Sequence, residues 1–194
     1  RVFVAAASAV ALVVLSPVFL VVAVLILCED GRPILYKQER VGRNGVPFQM
    51  YKFRTMRVDA DDLLTPEQRR EYQQEFKLEH DPRVTRIGRT LRLSSLDELP
   101  QLLNILKGDM SFVGPRPIIE REFDNYTEEE IREFQSLKPG LTGYWQAFAR
   151  NDATYQSGER QTMEMYYVRN ASVWLDVRIL FKTVDAVVHK SGVK

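Results

Sequence analysis

Residues 2–27, VFVAAASAVALVVLSPVFLVVAVLIL, form a continuous apolar stretch that contains no ionisable side chain. As one straight helix it would extend roughly 40 Å, which exceeds the hydrocarbon core of a bilayer at roughly 30 Å. A secretory signal peptide has a shorter apolar region followed by a small-residue cleavage site, and no such site precedes Glu29. The stretch therefore predicts a membrane-embedded segment.

Ser16 and Pro17 interrupt this apolar stretch near its middle. Proline removes a backbone hydrogen bond and pushes against the carbonyl four residues earlier, so we expect a kink, with the Ser16 hydroxyl satisfying backbone at the bend. A kinked spanning helix and a re-entrant pair of half-helices both fit, and the residues alone favour the spanning helix. Re-entry would leave Arg1 and the basic residues from Arg32 onward on one face, in line with the cytoplasmic excess of Lys and Arg.

The composition limits the remaining possibilities. The chain has 194 residues, of which 45% are hydrophobic, enough for one domain with a sizeable core plus an appendage. A formal net charge of +1 provides no global basic field, so nucleic acid is not expected as a partner. The single cysteine, Cys28, cannot form an internal disulfide, and with only His80 and His189 it cannot build a His/Cys metal site.

Beyond the apolar stretch, the patterns predict a mixture of strands and helices. Residues 32–42 and 46–56 read as two strands around the turn-forming sequence GRNG, which indicates a β-hairpin. Thr127 with Glu130 matches a capping box at the start of an amphipathic helix. We therefore expect a mostly helical α+β fold.

Arginine recurs at every third position between residues 83 and 92. On a helix this spacing would align Arg83, Arg86, Arg89 and Arg92 into a partly continuous guanidinium stripe. A solvated face, or a face lying on anionic lipid headgroups, explains such a stripe without a binding site.

The last stretch of the chain, residues 172–190, has helical periodicity and an apolar side suited to a core or to a membrane interface. That side comprises Val173, Val177, Leu180, Phe181, Val184 and Val188. Asp176 interrupts the pattern, since an acid beside Leu180 is unfavourable unless it is paired. An ion pair with a buried arginine and a role in an active site both explain it.

Two adjacent carboxylates, Asp97 and Glu98, lie in the sequence SSLDELP. Ser95 and Glu98 match a capping box, and the positive end of a helix dipole favours acids just before Pro100. A helix is then expected from Pro100, ending before Gly108. A helix cap is thus the structural explanation of the pair.

The surroundings of this pair also fit chemistry. Arg92 precedes it, Gln101 continues a polar face one turn later, and Arg116 lies in the rigid turn GPRP. Carboxylates among arginines suit a site where Mg²⁺ takes carboxylate oxygens and arginine takes phosphoryl charge. One acid could attack phosphorus while the other holds the metal.

Three longer strings, YKFRTM, DPRVTRIGRTLRLSSLDELPQLLNILKGDMSFVGPRP and KPGLTGYWQ, carry a resemblance to a known family. In their order and spacing they resemble the bacterial sugar transferases, the monotopic polyprenyl-phosphate phosphoglycosyl transferases that begin glycan assembly. The resemblance implies a re-entrant membrane helix over residues 1–28. It also implies a catalytic domain over residues 29–194, with amphipathic interfacial helices, on the cytoplasmic side of the bacterial inner membrane.

The resemblance further implies a Mg²⁺-dependent reaction in two halves. Asp97 would attack the β-phosphate of a UDP-sugar and release UMP, with Glu98 assisting at the metal, so that both acids are candidate metal ligands. Polyprenyl phosphate would then accept the phosphosugar. Family positions around the phosphates or near the same site correspond to Lys52, Arg54, Arg92, Arg116 and Asp176, and Gln101 joins them as a candidate through its polar face.

The sequence departs from the family pattern at two positions. Val4 stands where many relatives carry Asp, which bears on an anchoring contact of the re-entrant helix. Ala149 replaces a usual glycine before Arg150 and Asn151, the residues expected to contact the nucleotide.

Two other kinds of function also fit the residues. One is a non-catalytic membrane adaptor that binds anionic lipid, and the other is a membrane-bound phosphodiesterase that passes the phosphosugar to water. A homo-oligomer is compatible with all three.

Overall fold

The computed structural model describes residues 2–75, 78, 81–149 and 157–188. Within these ranges the chain forms a mostly helical α+β fold with two small two-stranded sheets. The predicted fold class is confirmed to this extent.

Two apolar helices open the chain, α1 (Val2–Val14) and α2 (Ser16–Asp30), and they meet at an angle of 58°. Pro17 lies in the first turn of α2, and the Ser16 hydroxyl donates a 2.7 Å hydrogen bond to the Val13 carbonyl. The predicted kink and the predicted role of the Ser16 hydroxyl are therefore confirmed. Among the described helices, none is by itself long and apolar enough to cross a bilayer, whereas α1 and α2 together reach the required length and composition.

The helix pair packs on the rest of the chain along one side only. In α2, Val22 and Ile26 are each 3% exposed and pack with Phe53. In α1, the buried Ser8 hydroxyl donates a 2.7 Å hydrogen bond to the Leu102 carbonyl. The opposite side leaves large apolar side chains exposed, among them Val2, Phe3, Val10, Val13, Leu20 and Val21.

The predicted β-hairpin follows the helix pair and is confirmed. Strands β1 (Leu35–Val41) and β2 (Pro47–Phe53) pair antiparallel, with Tyr36 opposite Lys52. The turn between them needs a positive φ at Asn44, an asparagine that tolerates the left-handed conformation. The hairpin thereby fixes which β2 side chains point toward the core and which toward the site.

The remaining helices are mostly short. They are α3 (Pro66–Glu75), α4 (Arg86–Ser94), α5 (Leu102–Lys107), α6 (Glu128–Gln135), α7 (Tyr144–Phe148), α8 (Glu159–Asn170) and α9 (Val173–Val188). Single 3₁₀ turns span Arg43–Gly45, Ala60–Leu63, Leu96–Gln101 and Glu120–Asn125. The capping box predicted for α6 is present, with Thr127 accepting from the Glu130 amide and Glu130 accepting from the Thr127 amide.

A second, smaller sheet pairs β3 (Ser111–Val113) in parallel with β4 (Gly140–Thr142). Gly114 continues from β3, and its amide donates to the Thr142 carbonyl at 3.0 Å. A Cβ on Gly114 would lie 2.3 Å from the Lys138 carbonyl oxygen, so only glycine permits this approach. The sheet thus holds the GPRP turn against the segment around β4.

The predicted four-arginine stripe is wrong in one part. Thr85 caps α4 by accepting from the Gly88 amide at 2.9 Å, so the helix starts only after Arg83. Arg83 is 5% exposed and donates two hydrogen bonds to Asp81, of 2.8 and 2.7 Å. The helical stripe is therefore limited to the three arginines within α4, the last of which is Arg92.

The predicted cap at the acidic pair is also wrong. Ser95 has a φ of 57° and makes no side-chain capping bond; instead it ends α4 in the left-handed conformation. A 3₁₀ turn (Leu96–Gln101) then carries Pro100 before α5 begins. The expected helix end at Gly108 is confirmed, since its φ of 92° provides the left-handed C-cap.

The apolar side predicted for the last helix does not form the core. In α9, Leu175 is 8% and Ile179 0% exposed, and both pack with Val113 of β3. On the predicted side, Val173 and Phe181 are 81% and 74% exposed. The second sheet contacts a different face of the helix from the one that apolar periodicity indicated.

Candidate active site

The acidic pair lies in the 3₁₀ turn Leu96–Gln101, which packs against β2. A 3₁₀ helix has about three residues per turn, so neighbouring side chains diverge by about 120°. Asp97 accordingly points inward and is 7% exposed, whereas Glu98 lines an open pocket. The two adjacent carboxylates thus occupy different environments.

Glu98 pairs with a lysine from the neighbouring strand. The Lys52 ammonium donates to Glu98 Oε1 at 2.7 Å, and the two side chains remain 20% and 24% exposed. Both residues line the same pocket. Since the pair is not sealed from solvent, its charges are accessible to a ligand.

The pocket gathers several of the predicted site residues. It has a volume of about 220 Å³, counting space open to solvent. Its lining comprises Met50, Lys52, Glu98, Gln101, Arg116, Pro117, Gly140, Leu141 and Gln146. The structure therefore brings together Lys52, Glu98, Gln101 and Arg116, which are far apart in the sequence.

Arg116 reaches the pocket from a rigid loop. The preceding Pro115 accepts a 2.9 Å hydrogen bond from the Gly140 amide, and the Arg116 amide donates to Glu164 Oε2 at 3.1 Å. Its guanidinium carbon lies 5.5 Å from the centroid of the Trp145 ring, within reach of a cation–π contact. These contacts restrict where the Arg116 guanidinium points, which is the restriction that the two flanking prolines predict.

Arg92 and Arg54 are not among the residues that line the pocket. Arg92 Nε donates to the Thr55 hydroxyl at 2.9 Å. Arg54 is 7% exposed and donates to the carbonyls of Asp30 and Gly31 at the end of α2, at 3.0 and 2.8 Å, as well as to the Asp30 carboxylate. Arg54 thus joins the helix pair to β2, and phosphate contacts by these two arginines stay predictions.

Asp176 also lies away from the pocket lining, and its partner is a tyrosine. The Tyr167 hydroxyl donates to Asp176 Oδ1 at 2.7 Å. Burial of Tyr167, then the hydrogen bond and the charge of Asp176, raise the pKa of that hydroxyl. The contact accounts for an acid on an otherwise apolar face of α9, while a role of Asp176 in the reaction stays a prediction.

Arg150 and Asn151 lie outside the described residues.

Sequence reasoning missed Gln146. Its Oε1 is buried, accepts no hydrogen bond from the described residues, and belongs to a side chain that lines the pocket. An unsatisfied buried acceptor is unfavourable unless a ligand or water supplies a donor. The sequence held one indirect signal, since Gln146 ends the string KPGLTGYWQ.

The sequence reasoning also missed a cluster of buried charges behind Arg116. Glu122 accepts from Arg40 Nη1 at 2.9 Å and from Arg160 Nη2 at 3.2 Å. Burial, and secondarily the nearby Arg116, lower the pKa of Arg40. Burial raises the pKa of Glu164 to about 7. No short motif marks these residues, because their separation along the chain exceeds any local spacing rule.

The acidic pair offers oxygen donors of the kind that Mg²⁺ takes. Within the described ranges no three His, Cys, Asp or Glu side chains cluster closely enough to form a metal cage. Mg²⁺ is commonly held by one or two carboxylates together with substrate phosphates. Asp97 and Glu98 supply two such carboxylates, one of them at the pocket.

Fold and site together define a small α+β protein that combines a bent apolar helix pair with a pocket lined by one carboxylate, Glu98, and two cations, Lys52 and Arg116. The family model described as "Bacterial sugar transferase" matches residues 1–190. The chain belongs to this family, as the sequence motifs predict.

Three relatives show how the chain compares with longer proteins. An uncharacterized sugar transferase of Haemophilus influenzae is 44% identical over 188 residues, covering 94% of this chain and 39% of the relative. The undecaprenyl-phosphate galactose phosphotransferase of Salmonella typhimurium is 45% identical over 170 residues, covering 84% and 35%. The exopolysaccharide production protein ExoY of Rhizobium meliloti is 43% identical over 192 residues, covering 96% and 84%. The chain therefore spans well under half of the first two relatives and most of the third.

Proposed function

We propose that this chain transfers a phosphosugar from a UDP-sugar to polyprenyl phosphate and releases UMP. The name of the Salmonella relative, an undecaprenyl-phosphate galactose phosphotransferase, supports this reaction class. The name of the Rhizobium relative supports a place in exopolysaccharide production. The observation that carries the proposal is the divergence of Asp97 and Glu98 beside a pocket that also receives Lys52 and Arg116.

In the first half-reaction, a carboxylate oxygen of Asp97 attacks the β-phosphorus of the donor. The bond between that phosphorus and the bridging oxygen breaks, and UMP leaves with the electron pair. Arg116 and Lys52, both at the pocket, offset the negative charge that develops on the phosphoryl oxygens. The result is a phosphosugar joined to the Asp97 carboxylate as an acyl phosphate.

In the second half-reaction, a phosphate oxygen of polyprenyl phosphate attacks the same phosphorus. The bond from phosphorus to the Asp97 oxygen breaks, which restores the carboxylate and yields polyprenyl-diphosphate-sugar. No proton donor is needed for either leaving group. Because Asp97 is only 7% exposed, attack by water on the acyl phosphate is disfavoured.

Asp97 and Glu98 would hold Mg²⁺ when it is bound, and the ion would neutralise phosphate charge and orient the diphosphate. The Lys52 ammonium, 2.7 Å from Glu98 Oε1, holds that carboxylate in place at the pocket. Gln146, whose Oε1 accepts no hydrogen bond from the described residues, offers that acceptor and an amide donor to a polar group of the UDP-sugar.

The membrane part of the proposal is a re-entrant segment over residues 1–28 and a catalytic domain over 29–194 on the cytoplasmic side of the inner membrane. The 58° bend and the exposed apolar side of the helix pair support it. The C-terminal end of α2 contacts the rest of the chain at two points. Arg54 binds the end of α2, and the Glu29 carboxylate accepts from the Arg86 and Ile87 amides at 2.8 and 3.0 Å.

A labelling experiment tests re-entry. Two variants carry a single cysteine at Val2 or at Ser16 in a Cys28→Ser background, and the wild type reports on its native Cys28. Each protein is exposed to a membrane-impermeant maleimide in inside-out vesicles. Re-entry predicts that positions 2 and 28 label from the cytoplasmic face while position 16 stays protected. Labelling of position 2 only from the periplasmic face would establish a spanning segment instead.

The first half-reaction tests the chemistry. Incubation with Mg²⁺ and a panel of UDP-sugars, without lipid acceptor, should release about one UMP per active enzyme and add a phosphosugar mass to Asp97. Asp97→Asn should abolish both signals. Asp124→Asn, the same change at an exposed position, is the matched control and should behave like wild type.

Each rival function predicts a different result. A phosphodiesterase would keep releasing UMP without lipid acceptor, because water would remove the phosphosugar. An adaptor would release no UMP, and its binding to anionic vesicles would be unaffected by Asp97→Asn. Normal turnover by Asp97→Asn would show that another residue is the nucleophile.

A further inference from the structure

Glu164 in α8 is the most deeply buried carboxylate among the described residues, at 1% exposure. Its Oε2 accepts from the Arg116 amide at 3.1 Å, and its Oε1 accepts no hydrogen bond in the part of the chain that the structure describes. The residues on both sides of Arg116 are prolines, which have no amide hydrogen. Glu164 therefore accepts from the one backbone donor available within residues 115–117.

Trp145 provides a second contact to the same arginine. The guanidinium carbons of Arg116 and Arg160 lie 5.5 and 4.5 Å from the centroid of this single indole ring. Arg160 is in turn bonded to Glu122 at 3.2 Å. The pocket arginine is thus supported by its backbone through Glu164 and by its side chain through Trp145.

The charges around Glu164 do not balance. The charged groups near it are Arg116 from the loop after β3, Arg160 from its own helix, and Glu122 from the 3₁₀ turn Glu120–Asn125; Arg40 of β1 lies beyond Glu122, and Tyr167 follows on α8. With Glu164 ionised, three arginines face two carboxylates. With Glu164 neutral, they face one, and the site becomes more attractive to an anion.

We propose that Glu164 is the positioning residue of Arg116, and that its charge state sets how strongly the pocket attracts the diphosphate of the donor. The proposal rests on the proposed function for the identity of that ligand. Burial raises the pKa of Glu164 to about 7, so that its charge changes near neutral pH. Its protonated form resembles glutamine, which keeps an oxygen for the Arg116 amide.

Two substitutions at Glu164 should therefore have opposite effects at pH 8. Glu164→Met removes the charge and also the acceptor of the Arg116 amide, so it should bind a diphosphate about tenfold more weakly than Glu164→Gln and about threefold more weakly than wild type. Glu164→Gln keeps the acceptor and removes the charge, so it should bind the diphosphate about threefold more tightly than wild type. At pH 6, where wild-type Glu164 is itself protonated, the advantage of glutamine should disappear.

Equilibrium titration of UDP with Mg²⁺ into the full chain in detergent, in an Asp97→Asn background, measures these affinities without turnover. Protonation of UDP itself affects all variants equally at one pH, so it cancels in the ratio of their affinities. Glu159→Met, on the same helix but exposed, is the matched control and should bind like the background protein.

A double-mutant cycle tests whether Glu164 acts through Arg116. Adding Glu164→Met to Arg116→Met should weaken binding no further than Arg116→Met alone. Independent, multiplicative losses would overturn the proposal. Equal effects of Met and Gln at Glu164 would overturn it as well. If Glu164→Met does not fold, the pH dependence of the glutamine-to-wild-type ratio decides alone.

The outcome is separable from that of the proposed function. Absence of UMP release by wild type would refute the transferase reaction, whereas the binding cycle would still report whether Glu164 and Arg116 are coupled. Conversely, an active enzyme with additive losses in the cycle would refute only the positioning role.

Discussion

Two sets of paired charges in this protein have similar chemistry and different surroundings. Glu98 and Lys52 form one ion pair of 2.7 Å, with side chains 24% and 20% exposed at the pocket. Glu122 accepts from Arg40 and Arg160, and these three side chains are only 4–11% exposed. Charges that remain accessible can exchange a protein partner for a ligand, whereas buried charges must keep theirs. Under the proposed function, the first set takes part in catalysis, whereas the second set supports the structure.

Removing charge from the buried set should have the largest effect on stability. Glu122→Gln leaves Arg40 and Arg160 without their shared carboxylate, so the free energy of unfolding should fall by roughly 3 kcal/mol or more. Urea unfolding in detergent measures the loss. Glu120→Gln, an exposed position in the same 3₁₀ turn, should leave stability unchanged. An unchanged midpoint for Glu122→Gln would show that the cluster is not structurally required.

A second prediction concerns the pH dependence of stability that the buried Glu164 should cause. The pKa of Glu164 rises from 4.5 to about 7 on folding, so the folded protein holds this proton more tightly than the unfolded chain. Its contribution to stability is complete below pH 4.5, is lost as pH rises through 7, and amounts to roughly 3 kcal/mol. The difference in unfolding free energy between wild type and Glu164→Gln should therefore change across this window and be constant above pH 8. A difference that is flat from pH 4 to 8 contradicts the burial of an ionisable Glu164.

At the accessible pair the expected effect is on rate instead of stability. Glu98→Gln removes one charge from the pocket and a candidate metal ligand, so single-turnover UMP release should slow by about 100-fold. Because both side chains are partly exposed, the unfolding midpoint should move little. Glu120→Gln again serves as control. A stability loss as large as that of Glu122→Gln would remove the distinction between the two sets.

The smallest predicted effect on stability concerns the contact between the helix pair and α4. Glu29 accepts from two amides at the start of α4, as a helix cap does. Glu29→Ala should lower the unfolding free energy by about 1 kcal/mol. Glu71→Ala at an exposed position of α3 should have no comparable effect. Equal stability of the two variants would show that the contact to α4 contributes nothing.

Local patterns predicted the elements whose causes are local. The kink at Ser16, the hairpin around GRNG, the Thr127 cap and the helix end at Gly108 all follow from backbone chemistry within a few residues. The family motifs predicted Lys52, Glu98 and Arg116 at one site and the polar face after the acidic pair added Gln101; the structure gathers those four at one pocket.

Where local patterns failed or left alternatives open, the cause is tertiary. Ser95 carries a capping-box pattern with Glu98, but Lys52 from β2 takes the glutamate carboxylate and the chain enters a 3₁₀ turn. For the apolar side of α9, periodicity left a core and a membrane interface open; the second sheet packs on Leu175 and Ile179, so that side does not form the core. In both cases a partner distant in sequence determined the outcome.

The bent apolar helix pair, the hairpin, the membership of the bacterial sugar transferase family and the acidic pair as the candidate centre could all be predicted from the amino-acid sequence. The inward turn of Asp97, the exposure of Glu98 to the pocket and the position of Glu164 beneath Arg116 depend on how the elements pack. The two groups differ in the distance over which their causes act. Caps, kinks and turns depend on atoms a few residues apart, whereas the burial of a charge depends on every element that packs around it.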